Sequence, residues 1–406
     1  MRRISTPNTR GSRRAAAFTV LAIAVTLLAG CTSTASPEYS SDVTSTAPFD
    51  DLLRPDVTVT GFGDTPLIDK TVGVMPGMPI TVKATNGRLM SVELTGDGGA
   101  VKGTLSKDGT SWVSNGTLDF GQDYTIVADA SGLEGVSGKK VSFTTGEPTQ
   151  LTDAYLLPDN GETVGIGQPV AVQFDEPITD RKAAQNAITV QTDPGVEGAF
   201  YWISDTEVRW RPENFWKPGT KVHVAVNTKG IDLGDGMYGD NNVSSDFTIG
   251  RSFVATADDA TKTISIAVDG KVVKTMPTSM GKDSTPTNNG TYIVAERVDS
   301  VIMDSSTYGV PVNSAEGYKE VVYDATRISY SGIYVHAAPW SLGDQGVDDV
   351  SNGCLNVSPE NAEWFKENAL RGDIVIANNT VGPPLPGDDG LGDWNVPWNV
   401  WKQGDA

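Results

Sequence analysis

Residues 333–359 read IYVHAAPWSLGDQGVDDVSNGCLNVSP. Two side chains in this stretch, His336 and Cys354, can do chemistry together. A thiol is a weak nucleophile at neutral pH, with a free pKa of about 8.5. It needs a neighbouring imidazole to take its proton, and the imidazole needs an acceptor to orient it. The chain holds only two His and two Cys. The other histidine, His223, lies in Lys221-Val222-His223-Val224-Ala225-Val226, whose alternation is that of a regular strand, and is read as structural. Gly353 before Cys354 suits a tight turn that exposes the thiol and frees backbone N–H groups for an oxyanion. One His and one Cys are weak evidence taken alone, so the surrounding sequence has to decide.

Downstream, Ser358 is a good N-cap and Pro359 fits the first helical position. Ala362, Phe365 and Ala369 recur at helical spacing, Gly372 suits the C-terminal end, and Asp373–Ala377 reads as a buried strand. This is the one helix expected in residues 251–406. Strand-like pieces precede it, Ile264–Val268 and Lys271–Val273, joined by the turn Asp269-Gly270. The tail Asp393–Trp401 carries three Trp in eight positions and is expected to fold back on this last domain.

Upstream, residues 53–148 show short alternating stretches, Thr81–Ala84, Ser91–Leu94 and Tyr124–Ala128. Turn signals separate them at Asn86-Gly87, Asp97-Gly98-Gly99 and Asp108-Gly109, the pattern of an antiparallel β-sandwich. Residues 149–250 look like a second copy. Gly103…Trp112…Gly121–Ile126 can be laid over Gly198…Trp210…Gly219–Val224, and the copies end in Phe143–Gly146 and Phe247–Gly250. Offsets of 95 and 104 residues between these landmarks match the size of an immunoglobulin-like domain. The expected fold is therefore mainly β: two immunoglobulin-like sandwiches, then a β-rich domain at 251–406 with one or few helices.

Residues 1–30 read as a secretory signal, with five Arg at the head and an apolar run Ala15–Leu28. Its end, Leu28-Ala29-Gly30-Cys31, resembles a bacterial lipobox, which implies cleavage before Cys31 and a lipid on its sulfur. Residues 31–52, rich in Ser, Thr, Ala and Pro, read as a flexible tether. The expected location is the extracytoplasmic face of the cell membrane. Removing residues 1–30 takes away five Arg and no acid, so the net charge goes from −20 to −25, which argues against a nucleic-acid partner. With Cys31 lipidated, Cys354 is left unpaired in an exported protein, either inert or kept for chemistry. The sequence has no zinc-type His/Cys cluster, and Asp232, Asp235 and Asp240 do not follow a calcium-loop pattern. No cofactor is expected. Asp344, Asp348 and Asp349 read as a solvated loop.

Around the His and the Cys, the chain resembles the L,D-transpeptidase catalytic family (the YkuD fold), in the actinobacterial form with two immunoglobulin-like domains. The family pattern is a His, a loop, then Ser/Thr-His-Gly-Cys, a hydrophobic residue and Asn or Arg; here stand His336, Ser351, Gly353, Cys354, Leu355 and Asn356. Pro277–Gly281 and Thr285–Tyr292 match the family's other signature.

The resemblance implies that Cys354 attacks the carbonyl between a diamino acid and D-Ala in a peptidoglycan tetrapeptide stem. A second stem's amine then resolves the thioester into a 3→3 cross-link. His336 is the base, oriented by the backbone carbonyl of Ala337. Gly353 and Cys354 N–H groups, with Tyr318, form the oxyanion hole. Met303, Tyr308, Ser331, Gly332, Trp340, Ser351, Asn352 and Asn356 line the pocket, and carbapenems acylate Cys354. One position departs from the pattern: Asn352 stands where the family usually has His, and an amide cannot carry a proton at neutral pH. Two alternatives follow, an L,D-carboxypeptidase and a catalytically weak peptidoglycan-binding paralogue. Exported cysteine peptidases of the NlpC/P60 type carry Cys before His, the reverse of the order here.

Overall fold

A single glycine–tryptophan contact, made twice, shows why the first two sandwiches read as copies. A Cβ on Gly103 would stand 2.0 Å from Trp112 Cζ2, and one on Gly198 would stand 2.1 Å from Trp210 Cζ2. Each glycine pairs across the hairpin two residues from the tryptophan register, so the indole lies flat over bare backbone. The computed structural model describes residues 53–404 apart from 62–63, 78, 315–316 and 390. The signal and the whole tether, Cys31 included, fall outside the described residues.

The first sandwich joins a four-stranded sheet (Asp56–Thr60, Thr81–Thr85, Ser111–Ser114, Gly103–Leu105) to a five-stranded one (Thr71–Val74, Gly135–Thr145, Asp123–Gly132, Gly87–Gly96, Gly99–Val101). Val57, Val59, Val82 and Trp112 from one sheet and Leu94, Ile126 and Phe143 from the other share one core. The second sandwich joins Ala154–Leu157, Val170–Phe174, Glu207–Pro212 and Gly198–Trp202 to Thr163–Val164, Asn242–Ile249, Lys221–Asn227 and Ile188–Asp193. In Lys221–Asn227 the alternation buries Val222, Val224 and Val226, while His223 faces outward and pairs with Asp246, Nδ1 to Oδ1 2.9 Å.

The remaining residues form two sheets. One has the order Lys271–Pro277, Thr263–Val268, Phe253–Asp258, Ile374–Asn378, Gly290–Ile293. The other runs Arg297–Asp304, Lys319–Arg327, Tyr334–Ala337, Leu355–Val357. Asp269 and Gly270 both take positive φ (48° and 77°), as the two-residue hairpin between the first pair requires. The expected helix is Pro359–Asn368, its start capped by Ser358 Oγ, which accepts from Asn361 N–H at 3.3 Å. Its Phe365 meets Phe253 edge-on, with ring centres 5.6 Å apart, and locks the helix to the sheet. Two shorter helices escape the sequence pattern, Arg181–Asn186 and Trp398–Trp401. Neither is long enough to establish a helical period.

The tail corrects one expectation. Its indoles dock on the second sandwich rather than only on the last domain. Trp394 Nε1 donates to the Gly167 carbonyl and Trp401 Nε1 to the Ala199 carbonyl, each at 2.8 Å. Trp401 stacks on Tyr201, ring centres 4.9 Å apart. The physical reason is Arg211, whose guanidinium lies 4.2 Å from the Trp401 ring and 4.6 Å from that of Trp394. Its neighbour Arg209 reaches Asp393 at 2.7 Å. On the other side Asn395 bonds both backbone groups of Thr291, at 2.8 Å each, so the tail straps the two units together. Ile374 belongs to the core of the second sandwich while Val375, next to it, belongs to that of the last domain.

Candidate active site

Parallel pairing of Tyr334–Ala337 with Leu355–Val357 places His336 opposite Asn356. Cys354 therefore enters at the start of the second strand, beside the histidine strand, out of a turn with a dense set of bonds. Ser351 Oγ donates to the Cys354 carbonyl at 2.7 Å and accepts from Gly353 N–H at 3.1 Å. Thr287 Oγ1 donates to the Gly353 carbonyl at 2.8 Å and itself accepts from Gly281 N–H at 3.0 Å. Met280 carbonyl and Lys282 N–H hold Ser351 on both sides, each at 3.0 Å. So the two upstream segments singled out in the sequence, 277–281 and 285–292, are the cradle of the cysteine turn. Gly353 has φ +119°, a conformation other residues adopt only under strain, though a Cβ there would meet nothing nearer than 3.9 Å. The expectation that its N–H faces an oxyanion is corrected: that donor is committed to Ser351 Oγ.

His336 is 2% exposed, and its Nδ1 lies 3.0 Å from the Ala337 carbonyl oxygen. A carbonyl only accepts, so this contact assigns the proton to Nδ1 and leaves the Nε2 lone pair free. Burial holds the imidazole pKa below its ordinary value, against the opposing pull of the Ala337 carbonyl. Cys354 is 7% exposed, and its thiol donates to the Gly332 carbonyl at 3.7 Å. Burial pushes the thiol pKa up to about 12; the Tyr334 backbone pulls the other way and the Glu320 charge adds to the rise. Both shifts favour the uncharged forms, a protonated thiol and a neutral imidazole.

Both line one cavity of about 70 Å³ with Met303, Tyr318, Glu320, Trp340, Val350, Ser351, Asn352 and Asn356. Trp340 leans over the histidine with ring centres 6.0 Å apart. Asn356 Nδ2 donates to Ser341 Oγ at 3.2 Å, and Asn352 Oδ1 accepts from Thr285 Oγ1 at 3.3 Å. Of the other expected residues, Gly332 meets the thiol through its carbonyl. Ser331 does not line the cavity; its N–H donates to Asp389 at 3.2 Å and its hydroxyl pairs with Ser329. Ala337 contributes its carbonyl, its side chain being buried in the core. The Tyr308 side chain lies outside the described residues. Asp349, read as part of a solvated loop, instead pairs with Lys262 and accepts from Met280 N–H at 2.8 Å. Sequence reasoning missed Glu320, although its alternation with Val322 in a strand lining the site was a usable signal.

Two family patterns match the chain. The L,D-transpeptidase catalytic domain covers residues 252–376, and the bacterial Ig domain covers residues 71–232, spanning parts of both sandwiches. L,D-transpeptidase 2 of Mycobacterium tuberculosis (strain CDC 1551 / Oshkosh) is 55% identical over 360 residues, 88% of this chain and 87% of that relative. The chain belongs to the L,D-transpeptidase family. L,D-transpeptidase 5 of M. tuberculosis (strain ATCC 25618 / H37Rv) is 36% identical over 346 residues, 82% of this chain and 74% of that protein. An LD transpeptidase solved in complex with imipenem aligns at 36% identity and a TM-score of 0.49, covering 55% of this chain and 97% of that one. In this L,D-transpeptidase the family's sequence pattern and the cavity coincide: His336, Ser351, Cys354 and Asn356 of the motif all line it.

Proposed function

We propose that this transpeptidase acts on peptidoglycan, forming 3→3 cross-links between stem peptides through a Cys354 thioester. The supporting observation is the free Nε2 of a buried His336, anchored through Nδ1, in the same cavity as the unpaired thiol. His336 takes the thiol proton as Cys354 attacks the carbonyl before D-Ala, and returns it to the leaving amine. The thioester then passes its acyl group to the amine of a second stem. The neutral resting pair means that the proton moves only once a substrate carbonyl is in place to share the charge. Cys354 N–H and Tyr318 are the remaining oxyanion donors from the family pattern. Asn352 holds the cysteine turn through Thr285 and handles no proton, so its replacement of His leaves the base role intact.

Carbapenems acylate the same sulfur in this reading. Cys31 carries the lipid anchor, and the two sandwiches set the active site at a distance from the membrane, on the cell-wall side. The test is the intact mass of residues 32–406 after incubation with a disaccharide-tetrapeptide or with imipenem. An adduct mapped to Cys354, absent from Cys354→Ala, is expected; an unmodified thiol with either reagent refutes the thioester route.

A further inference from the structure

Strands Arg297–Asp304 and Lys319–Arg327 pair antiparallel, with Met303 opposite Glu320 and Val301 opposite Val322. Side chains two apart on a strand share a face, and so do opposed residues. Glu320, Val322, Met303 and Val301 therefore project together. That face is apolar and covers the nucleophile: Met303, Val322 and Cys354 share one buried cluster, with Val301 packed against it. Glu320 is the exception, and among the described residues that line the cavity it is the one carboxylate.

No described residue hydrogen-bonds to or ion-pairs with it. The adjacent Lys319 is committed to Asp304 at 2.8 Å. The charge also works against the first half-reaction, since it raises the pKa of the Cys354 thiol. That penalty disappears once the sulfur is acylated, because a thioester carries no charge. What then arrives in the cavity is a cation.

We infer that Glu320 is the specificity-determining carboxylate for the acceptor, receiving the ammonium-bearing side chain of the second stem and favouring it over water. The inference rests on the transpeptidase reading and refines it. The ammonium sheds two protons as its nitrogen bonds the acyl carbon and the C–S bond breaks. One reaches the departing sulfur through His336 Nε2 and restores the thiol; the other leaves to solvent. A carboxylate beside the approach path concentrates the cation without competing for the imidazole.

The test compares wild type with Glu320→Gln and Glu320→Asp, residues 32–406, on a disaccharide-tetrapeptide. The readout is the ratio of cross-linked to hydrolysed product, repeated with hydroxylamine, a nucleophile uncharged at neutral pH. Glu320→Gln lowers the ratio for the stem amine about three- to tenfold, the size of a partly exposed charge pair. Glu320→Asp recovers part of it, the hydroxylamine ratio stays level, and alkylation of Cys354 becomes faster. An unchanged stem-amine ratio, or an equal fall with hydroxylamine, overturns the role of Glu320 while leaving the thioester mechanism standing. A wild-type protein that forms no thioester overturns the transpeptidase mechanism and this inference with it.

Discussion

Cys354 Sγ stands 3.7 Å from the Gly332 carbonyl oxygen and donates its proton there rather than to the His336 imidazole. Asp389 holds the loop that carries this carbonyl, accepting from Tyr330 N–H at 3.0 Å and Ser331 N–H at 3.2 Å. The burial that raises the thiol pKa favours the protonated form across the neutral range. Only the thiolate alkylates, so the iodoacetamide rate should climb about tenfold per pH unit from roughly pH 6 to 9 without levelling. A plateau below about pH 8 would reveal a preformed thiolate–imidazolium pair and contradict the neutral resting state.

Asn352 lines the cavity and accepts from the Thr285 hydroxyl at 3.3 Å. In the proposed mechanism His336 is the base, so position 352 needs a polar side chain and not a titrating one. Asn352→His should keep kcat/KM within about threefold, and Asn352→Ala should lower it about three- to tenfold. A gain of a hundredfold or more in the His variant would mean that this site lacks a proton carrier it needs.

Arg211 carries the docking of the tail. It donates to the Val396 carbonyl at 2.8 Å and faces the rings of Trp394, Trp398 and Trp401. Arg211→Ala should cost about 2–4 kcal/mol in urea unfolding and speed hydrogen exchange across residues 393–401. Unchanged exchange in that segment would show that Asn395 and the indole donors hold the strap unaided.

Gly198 and Gly195 offer a matched pair in the second sandwich. A Cβ at 198 would stand 2.1 Å from Trp210 Cζ2, whereas one at 195 would meet nothing within 4 Å. Gly198→Ala should destabilise by about 1–3 kcal/mol and Gly195→Ala by less than about 0.5 kcal/mol, measured by chemical denaturation. Equal effects would undo the account of the glycine–tryptophan repeat.

The parts of this fold that were legible from sequence were those written in local chemistry. Alternation marked Thr81–Ala84 and Lys221–Val226, within the strands Thr81–Thr85 and Lys221–Asn227, Asp269-Gly270 marked a hairpin, and Ser358-Pro359 marked a helix start to the residue. The candidate pair His336 and Cys354 stood out because histidine and cysteine are scarce here and the motif around them is dense. What escaped depended on contacts far apart in the chain. Trp394 could not be assigned to Gly167 from a run of indoles, nor Asp349 to Lys262 from an acidic loop. Gly353 was placed correctly in its turn, but its N–H partner, two residues back, depends on a side-chain rotamer that no pattern encodes. Glu320 is itself exposed; its alternation with the buried Val322 pointed to a shared face, and the register of the hairpin, which sets it opposite Met303, placed it at the edge of the cavity.

The most direct test of the central claim uses residues 32–406 and Cys354→Ala side by side on a disaccharide-tetrapeptide, with products read by mass spectrometry. A cross-linked dimer lacking one D-Ala, formed by the native protein and absent from Cys354→Ala, is the predicted result. Tripeptide as the sole product would make the enzyme a carboxypeptidase. Cross-linked dimer formed equally by Cys354→Ala would contradict the assignment of the nucleophile.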